Sequence, residues 1–189
     1  MTGAGVAPAV GRVIFTQAQI AEAVQRLASA IAATHRGQLL VLVGVLKGGA
    51  CLISDLARAL SAVPGGPSAI MVQHIVVSRY RGSTASDAPV EIIADSGRSL
   101  EGANVVLADA IVDRGLTLAA LQALFKARRP ATLRTCVLVD KPARRTAAIV
   151  PDYCGLQAPD AFVIGYGLDY KEWYRNLPYL AELREEQTV

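Results

Sequence analysis

The chain has 189 residues and a formal net charge of +3. With 52% hydrophobic and 19% charged residues it can bury one substantial core, which excludes an intrinsically disordered chain and favours a single domain over residues 1–189. So mild a positive charge, with no basic stripe, suits small anionic substrates and argues against nucleic acid as a partner.

Met1 to Val10 is small-residue sequence with Pro and Gly, the composition of a loose arm. Thr16-Gln17-Ala18-Gln19 matches a capping box, and Ile20, Val24, Leu27 and Ile31 fall on one helical face, which predicts a helix over Thr16 to Ala33. Leu39 to Val45 is a continuous apolar run bounded by Gly37 and Gly48-Gly49, as expected of a strand buried on both faces of a parallel sheet. Leu46-Lys47-Gly48-Gly49 then leads into a helix over Ala50 to Leu60. A lysine and two glycines at a helix start can cradle an anion on backbone N–H groups, or be there for steric room alone. Ala69 to Val77 reads as a strand. Ser78 to Pro89 is polar, small and aperiodic, a long mobile loop that serves either as a lid or as a plain hairpin connection.

The stretch Val105 to Thr117 is the most informative. An apolar run carries Asp109, Ile111 and Val112 to a turn made of Asp113, Arg114, Gly115 and Thr117, and a helix-like TLAALQALFKAR follows. Unpaired N–H groups at a helix start, a glycine that lets the backbone approach and a threonine hydroxyl form an anion-collecting turn. The spacing is not that of a Walker A loop, and on the residues alone an ordinary strand-turn-helix connection explains it equally well. Leu133 to Val139 is a buried strand ending in Asp140-Lys141-Pro142, where Lys141 by itself reads as a solvated strand end. In Pro159 to Pro178, Phe162 and Val163 by themselves read as core strand residues. The alternation of strands and helices predicts an α/β fold, a mainly parallel central sheet flanked by helices, with its site at the strand carboxyl ends.

Taken together these stretches are similar to the motifs of the type I phosphoribosyltransferase family, in the family's order, over Phe15 to Leu183. Asp109 to Thr117 resembles its phosphoribosyl-diphosphate (PRPP) motif, and Leu46 to Gly49 resembles the L-K-G-G pyrophosphate loop of the hypoxanthine-guanine branch, whose Leu-Lys peptide is often cis. Asp140 to Arg145 resembles the bacterial D-K-P-x-R-R string, and Gly165 to Tyr170 with Tyr174 to Pro178 resembles G-Y-G-L-D-Y and Y-R-N-L-P. The resemblance implies a hood over the base site, built from about residues 1–35 and 140–189. It implies transfer of the phosphoribosyl group of PRPP to a 6-oxopurine base with Mg²⁺ as cofactor, in a homodimer or homotetramer.

By the same resemblance, Asp113 is the catalytic base at N7 of the purine, and Arg114, Gly115, Leu116 and Thr117 hold the 5′-phosphate. Asp109 faces the ribose, and Lys47, Gly48 and Arg175 serve the pyrophosphate. Lys141 donates to the 6-oxygen, which a group that can only donate does better for a 6-oxo base than for adenine. Phe162 stacks on the purine and the backbone of Val163 reads its edge. Ser78 and Tyr80 belong to the lid loop, and Asp169 and Asp109 are the carboxylates offered to magnesium.

Three departures stand against the pattern. Ala110 replaces the second of two acids that touch the ribose hydroxyls, losing charge-assisted hydrogen bonds of about 1.5–3 kcal/mol each, so weaker PRPP binding is expected. Arg114 replaces a small hydroxyl residue, and Arg79 separates Ser78 from Tyr80. They keep two alternatives open: a PRPP- or nucleotide-binding regulator with little transfer, or a transferase with an unusual substrate. His35 and His74 lie outside the motifs and read as structural. Cys51, Cys136 and Cys154 have neither disulfide nor zinc spacing and read as small core residues of a reducing compartment. With no basic-then-apolar leader and no apolar run of membrane-spanning length, the expectation is a cytoplasmic protein without a membrane partner.

Overall fold

The computed structural model of the protein describes residues 9–79 and 90–184. The chain enters through β1, Val10–Phe15, and turns at Thr16 into α1, Gln17–Thr34. The turn is a reciprocal cap: the Gln19 N–H donates to Thr16 Oγ1 at 3.3 Å, and the Thr16 N–H donates to Gln19 Oε1 at 2.8 Å. The elements that follow are β2, Leu39–Leu46; α2, Ala50–Ser61; β3, Ala69–Arg79; β4, Val90–Asp95; β5, Asn104–Val112; and α3, Leu116–Ala127. After them come β6, Thr132–Asp140; β7, Tyr153–Gln157; β8, Val163–Ile164; and β9, Leu180–Leu183.

Six strands form one sheet in the order β4-β3-β2-β5-β6-β7, with β4 antiparallel and the others parallel. Alternate residues feed opposite faces. Leu40, Leu42, Val106, Ala108, Cys136 and Leu138 pack against α1 and α2, while Val43, Val45, Val105, Leu107 and Val137 pack against Leu118, Leu121 and Phe125 of α3. Both faces are covered, which is why these strands read as unbroken apolar runs. From β2 the chain steps outward to β3 on one side, and β5 then lies on the other side of β2. The turns after β2 and β5 therefore diverge and leave a crevice at the carboxyl edge of the sheet.

A second, small antiparallel sheet, β1-β9-β8, joins the two ends of the chain, and its Val163 and Leu180 are embedded in the core beside α1 and α2. Sequence periodicity offered no strand before α1. Strand β1 is held by β9 from the other end of the chain, a pairing that leaves no local pattern. Within the N-terminal segment β1 enters the small sheet, whereas α1 packs on α2 and β7.

Two expectations are corrected here. Ser78 is not in a loop: it lies in β3 opposite Glu91 of β4, because the antiparallel ladder continues through Arg79 opposite Val90. Tyr80 and the remainder of the expected lid loop lie outside the described residues. Cys154 is not a core residue, since β7 is an edge strand and leaves it exposed; Cys51 is partly buried, Cys136 is buried, and all are free thiols. Among the described residues no helix is long and apolar enough to cross a membrane.

The approach to β7 is tied to β6 by one carboxylate. Asp152 accepts from the Thr135 N–H at 2.8 Å, from Thr135 Oγ1 at 2.9 Å and from Arg134 Nη1 at 2.8 Å. Burial pushes this carboxyl up, but the donations of Arg134 and Thr135 outweigh it and leave the group below its ordinary range. A depressed folded value means stability that is present above the unfolded value and lost as pH falls through the folded one. Asp152→Asn is therefore expected to lower the unfolding free energy at neutral pH by about 1–3 kcal/mol. Its difference from wild type should narrow below about pH 4, as urea denaturation at neutral and acid pH will measure.

Candidate functional site

The turns after β2, β5 and β6 meet at the carboxyl edge of the large sheet. In the first, the Leu46–Lys47 peptide is cis, as the resemblance led us to expect. Gly48 faces Leu168 and Ala110, and the segment Gly165 to Pro178 lies directly on this turn. Gly167 has φ +94°, and a Cβ on it would stand 2.2 Å from the Gly48 carbonyl oxygen. Glycine is required there on both counts. Tyr166, beside it, donates its hydroxyl to Asp55 of α2, which anchors the segment from below.

The charges of the two segments interlock. Lys47 Nζ lies 3.1 Å from Glu172 Oε2, Glu172 Oε2 lies 3.2 Å from Arg175 Nη2, and Arg175 Nη2 lies 2.7 Å from Asp169 Oδ1. Arg175 Nη1 also donates to the Gly167 carbonyl at 2.7 Å, and the Glu172 N–H donates to Asp169 Oδ2 at 2.9 Å. Lys47 and Arg175 hold the Glu172 carboxyl below its ordinary value. Arg175 Nε is buried without a hydrogen-bond partner. Lys47, Gly48, Asp169 and Arg175 are thus one cluster, and Glu172 sits between its two cations.

At the end of β5, Asp109 is partly exposed in surface terms, yet its carboxyl is desolvated enough to be pushed up to about 7, against the amide donations of Ala110 and Ile111. Its Oδ1 accepts from the Ala110 N–H at 2.7 Å. Ala110, where a second acid was expected, is 1% exposed. Asp113 is partly exposed, with Oδ1 3.4 Å from Arg144 Nε and without a hydrogen-bond partner. Gly115, at φ +85°, is the N-cap of α3, and no side chain caps that helix start. Leu116 and Thr117 open the helix, so the N–H groups of its first turn face the turn as an anion site requires.

At the end of β6, Lys141 is 3% exposed, which corrects its reading as a solvated strand end. Its ammonium donates to the Ala161 carbonyl at 2.8 Å and lies 3.7 Å from Asp160 Oδ1. Arg144 Nη1 lies 3.5 Å from the same Asp160 oxygen. An alternating chain, Lys141, Asp160, Arg144, Asp113, therefore links the turns after β6 and β5. One of the three ammonium protons goes to the Ala161 carbonyl, and Asp160 lies beyond hydrogen-bond reach, so the ammonium keeps donors for a ligand. Phe162 is 52% exposed and meets Tyr170 edge to face at 5.8 Å, so it is not the core residue its apolar context suggested; Val163 beside it is buried in β8.

Sequence reasoning assigned no role to Arg144, Asp160 or Glu172. Arg144 belongs to the D-K-P-x-R-R string and was within reach of the motif. Asp160 and Glu172 carry no local pattern that separates them from surface acids. Among the described residues no three His, Cys, Asp or Glu side chains converge on a metal position. Asp169 and Asp109 are each oxygen donors, and magnesium commonly takes one or two carboxylates and completes its shell with water and substrate phosphate, so either carboxylate suits it by chemistry.

Residues 13–171 match a family model described as a phosphoribosyl transferase domain. The chain is 38% identical over 174 residues to a hypoxanthine-guanine phosphoribosyltransferase of Staphylococcus aureus, covering 92% of this chain and 94% of that one. It is 35% identical over 175 residues to the Bacillus subtilis protein of the same name, covering 93% and 94%. Among solved structures, a hypoxanthine-guanine phosphoribosyltransferase from Bacillus anthracis superposes with a TM-score of 0.85 at 33% identity, covering 93% of this chain and 100% of that one. A hypoxanthine phosphoribosyltransferase from Trypanosoma cruzi gives 0.85 at 36%, covering 94% and 97%.

The Gly167–Gly48 contact has a measurable consequence. Gly167→Ala needs space held by a backbone oxygen at an unfavourable φ, and is expected to cost about 1–3 kcal/mol of stability. It should also part the Arg175 segment from the Lys47 turn, so that inorganic pyrophosphate, titrated calorimetrically, binds more weakly than to wild type.

Proposed function

The chain belongs to the phosphoribosyl transferase family, and from that premise we propose that it transfers the phosphoribosyl group of PRPP to N9 of a 6-oxopurine, hypoxanthine or guanine. The products are IMP or GMP and pyrophosphate, the chemistry of purine salvage. The observation that carries this reading is the pair of Lys141 and Asp113 on neighbouring turns, joined through Asp160 and Arg144. One is a buried donor, the other a carboxylate with an oxygen that accepts no hydrogen bond. A 6-oxopurine presents the complementary set, an acceptor at the 6-oxygen and a proton at N7.

Lys141 gives an N–H not used by Ala161 to the 6-oxygen; the amino group of adenine would set donor against donor and leave a buried polar group unpaired. The open face of Phe162 carries the purine ring, and the backbone of Val163 borders its edge. Asp113 accepts the N7 proton as N9 forms its bond to the anomeric carbon. The carbon–oxygen bond to pyrophosphate breaks and its electron pair leaves with pyrophosphate. Lys47, the Gly48 backbone and Arg175 meet that charge once the substrate phosphates displace Glu172 from the two cations. The N–H groups from Arg114 to Thr117 hold the 5′-phosphate, and the positive end of α3 favours it. Asp169 and Asp109 would hold magnesium, which would offset the negative charge of the pyrophosphate.

The test is an assay with PRPP, Mg²⁺ and each of hypoxanthine, guanine, xanthine and adenine. Turnover confined to 6-oxopurines is expected, with kcat about 10²–10⁴-fold lower in Asp113→Ala. PRPP binding without turnover on any base would overturn the reading in favour of a regulator.

Buried Ala110 supports a second reading, in which the sugar is held differently from the family pattern. Ala110→Asp separates the two. If the ordinary ribose contacts operate, the variant should lower KM for PRPP by about tenfold and leave KM for the base unchanged. No change in either constant would favour an unusual sugar phosphate.

A further inference from the structure

The segment that follows β6 wraps the turn that follows β5, and it does so through carbonyl oxygens. The Lys141 N–H donates to the Val112 carbonyl at 3.0 Å, Arg145 Nε to the Asp113 carbonyl at 3.0 Å, and the N–H groups of Thr146 and Ala147 to the Arg114 carbonyl at 3.1 and 3.0 Å. These peptides are trans, so each C=O points opposite to the N–H of the next residue. Holding the carbonyls of Val112, Asp113 and Arg114 toward one side aims the N–H groups of Asp113, Arg114 and Gly115 toward the other. That other side is where the phosphate is proposed to bind.

In this wrap each of the three side-chain nitrogens of Arg145 has a partner. Besides Asp113, it donates through Nη1 to the Ile149 carbonyl at 2.7 Å and through Nη2 to Asp140. Its side chain is only 15% exposed and that of Asp140 only 12%. The turn lies flat on it: a Cβ at Gly115 would stand 2.8 Å from Arg145 Cδ and 3.3 Å from its Nε. Lysine carries its three donors on one nitrogen and lacks the planar fork that spans these three separate oxygens.

We propose that Arg145 is a positioning residue of the phosphate turn, acting through the Asp113 carbonyl and the floor under Gly115 to aim the Arg114 N–H. It touches neither phosphate nor base. The inference rests on the phosphate-binding reading of this turn.

The experiment uses the full chain as wild type, Arg145→Met and Arg145→Lys. Calorimetry reads ribose 5-phosphate affinity, kinetics read KM for PRPP and for hypoxanthine, and thermal melts report folding. Both variants are expected to bind ribose 5-phosphate at least about tenfold more weakly and to raise KM for PRPP alike. KM for hypoxanthine should stay within about twofold, and added guanidinium ion should restore part of the affinity of the methionine variant. If Arg145→Met does not fold, Arg145→Lys keeps the charge beside Asp140 and carries the comparison. Unchanged ribose 5-phosphate affinity, or an equal rise in KM for PRPP and hypoxanthine, overturns the proposal. So does a wild type that does not bind ribose 5-phosphate. Turnover decides the transferase reading separately: wild type that binds ribose 5-phosphate but transfers nothing refutes that reading, while the variants' affinities still decide the role of Arg145.

Discussion

The pair of Asp140 and Arg145, mostly withdrawn from water, fixes Arg145 at the end of β6, from where its Nε reaches the Asp113 carbonyl in the turn after β5. Such a pair is costly to bury unless the remaining donors find oxygens, and here the Asp113 and Ile149 carbonyls take them. A guanidinium satisfied on every side has one geometry. The turn it supports inherits that geometry, including the left-handed Gly115 at the start of α3. Lys141 lies within the same short segment, so the group proposed to read the base and the turn proposed to hold the phosphate are set by one piece of backbone.

The rest of the site is organised as alternating charge. On one flank Lys47 and Arg175 share Glu172, with Asp169 beyond; on the other, Lys141 and Arg144 share Asp160, with Asp113 beyond. The pairs at the rim, Lys47 with Glu172 among them, are substantially exposed and contribute little to stability. Their consequence is electrostatic order: each cation is held at the crevice by a carboxylate that a phosphate or a carbonyl oxygen can replace. Between the flanks, Ala110 removes one acid from β5 and Asp109 is left with a carboxyl raised to about 7. That position distinguishes this chain most from the pattern it otherwise follows.

Much of the architecture was legible in the residues. The capping box at Thr16, the apolar runs of β2, β5 and β6, and the glycine turns at Gly48 and Gly115 are statements about neighbours in the chain, and they appear where periodicity put them. Strand β1 was not legible, because its partner β9 is at the other end of the chain. Ser78 was misjudged for a related reason: a polar residue beside an aperiodic stretch looks like loop, yet β4 extends the ladder past it. Read from the residues alone, Lys141 as a solvated strand end and Phe162 as a core residue both fail on burial, which is a property of what packs around a residue and not of the residue.

The sequence by itself determined the capped helix α1, the buried strands β2, β5 and β6, and which turns are rich in glycine and charge, since propensity, capping and hydrophobic period act over a few residues. Only the tertiary structure decided which charges meet. Glu172 reaches Lys47, Asp160 reaches Lys141, and Arg145 reaches the Asp113 carbonyl because the switch between β2 and β5 gathers distant turns at one edge of the sheet. Strand order is a global minimum of packing over both faces, and no local stretch of the chain encodes it.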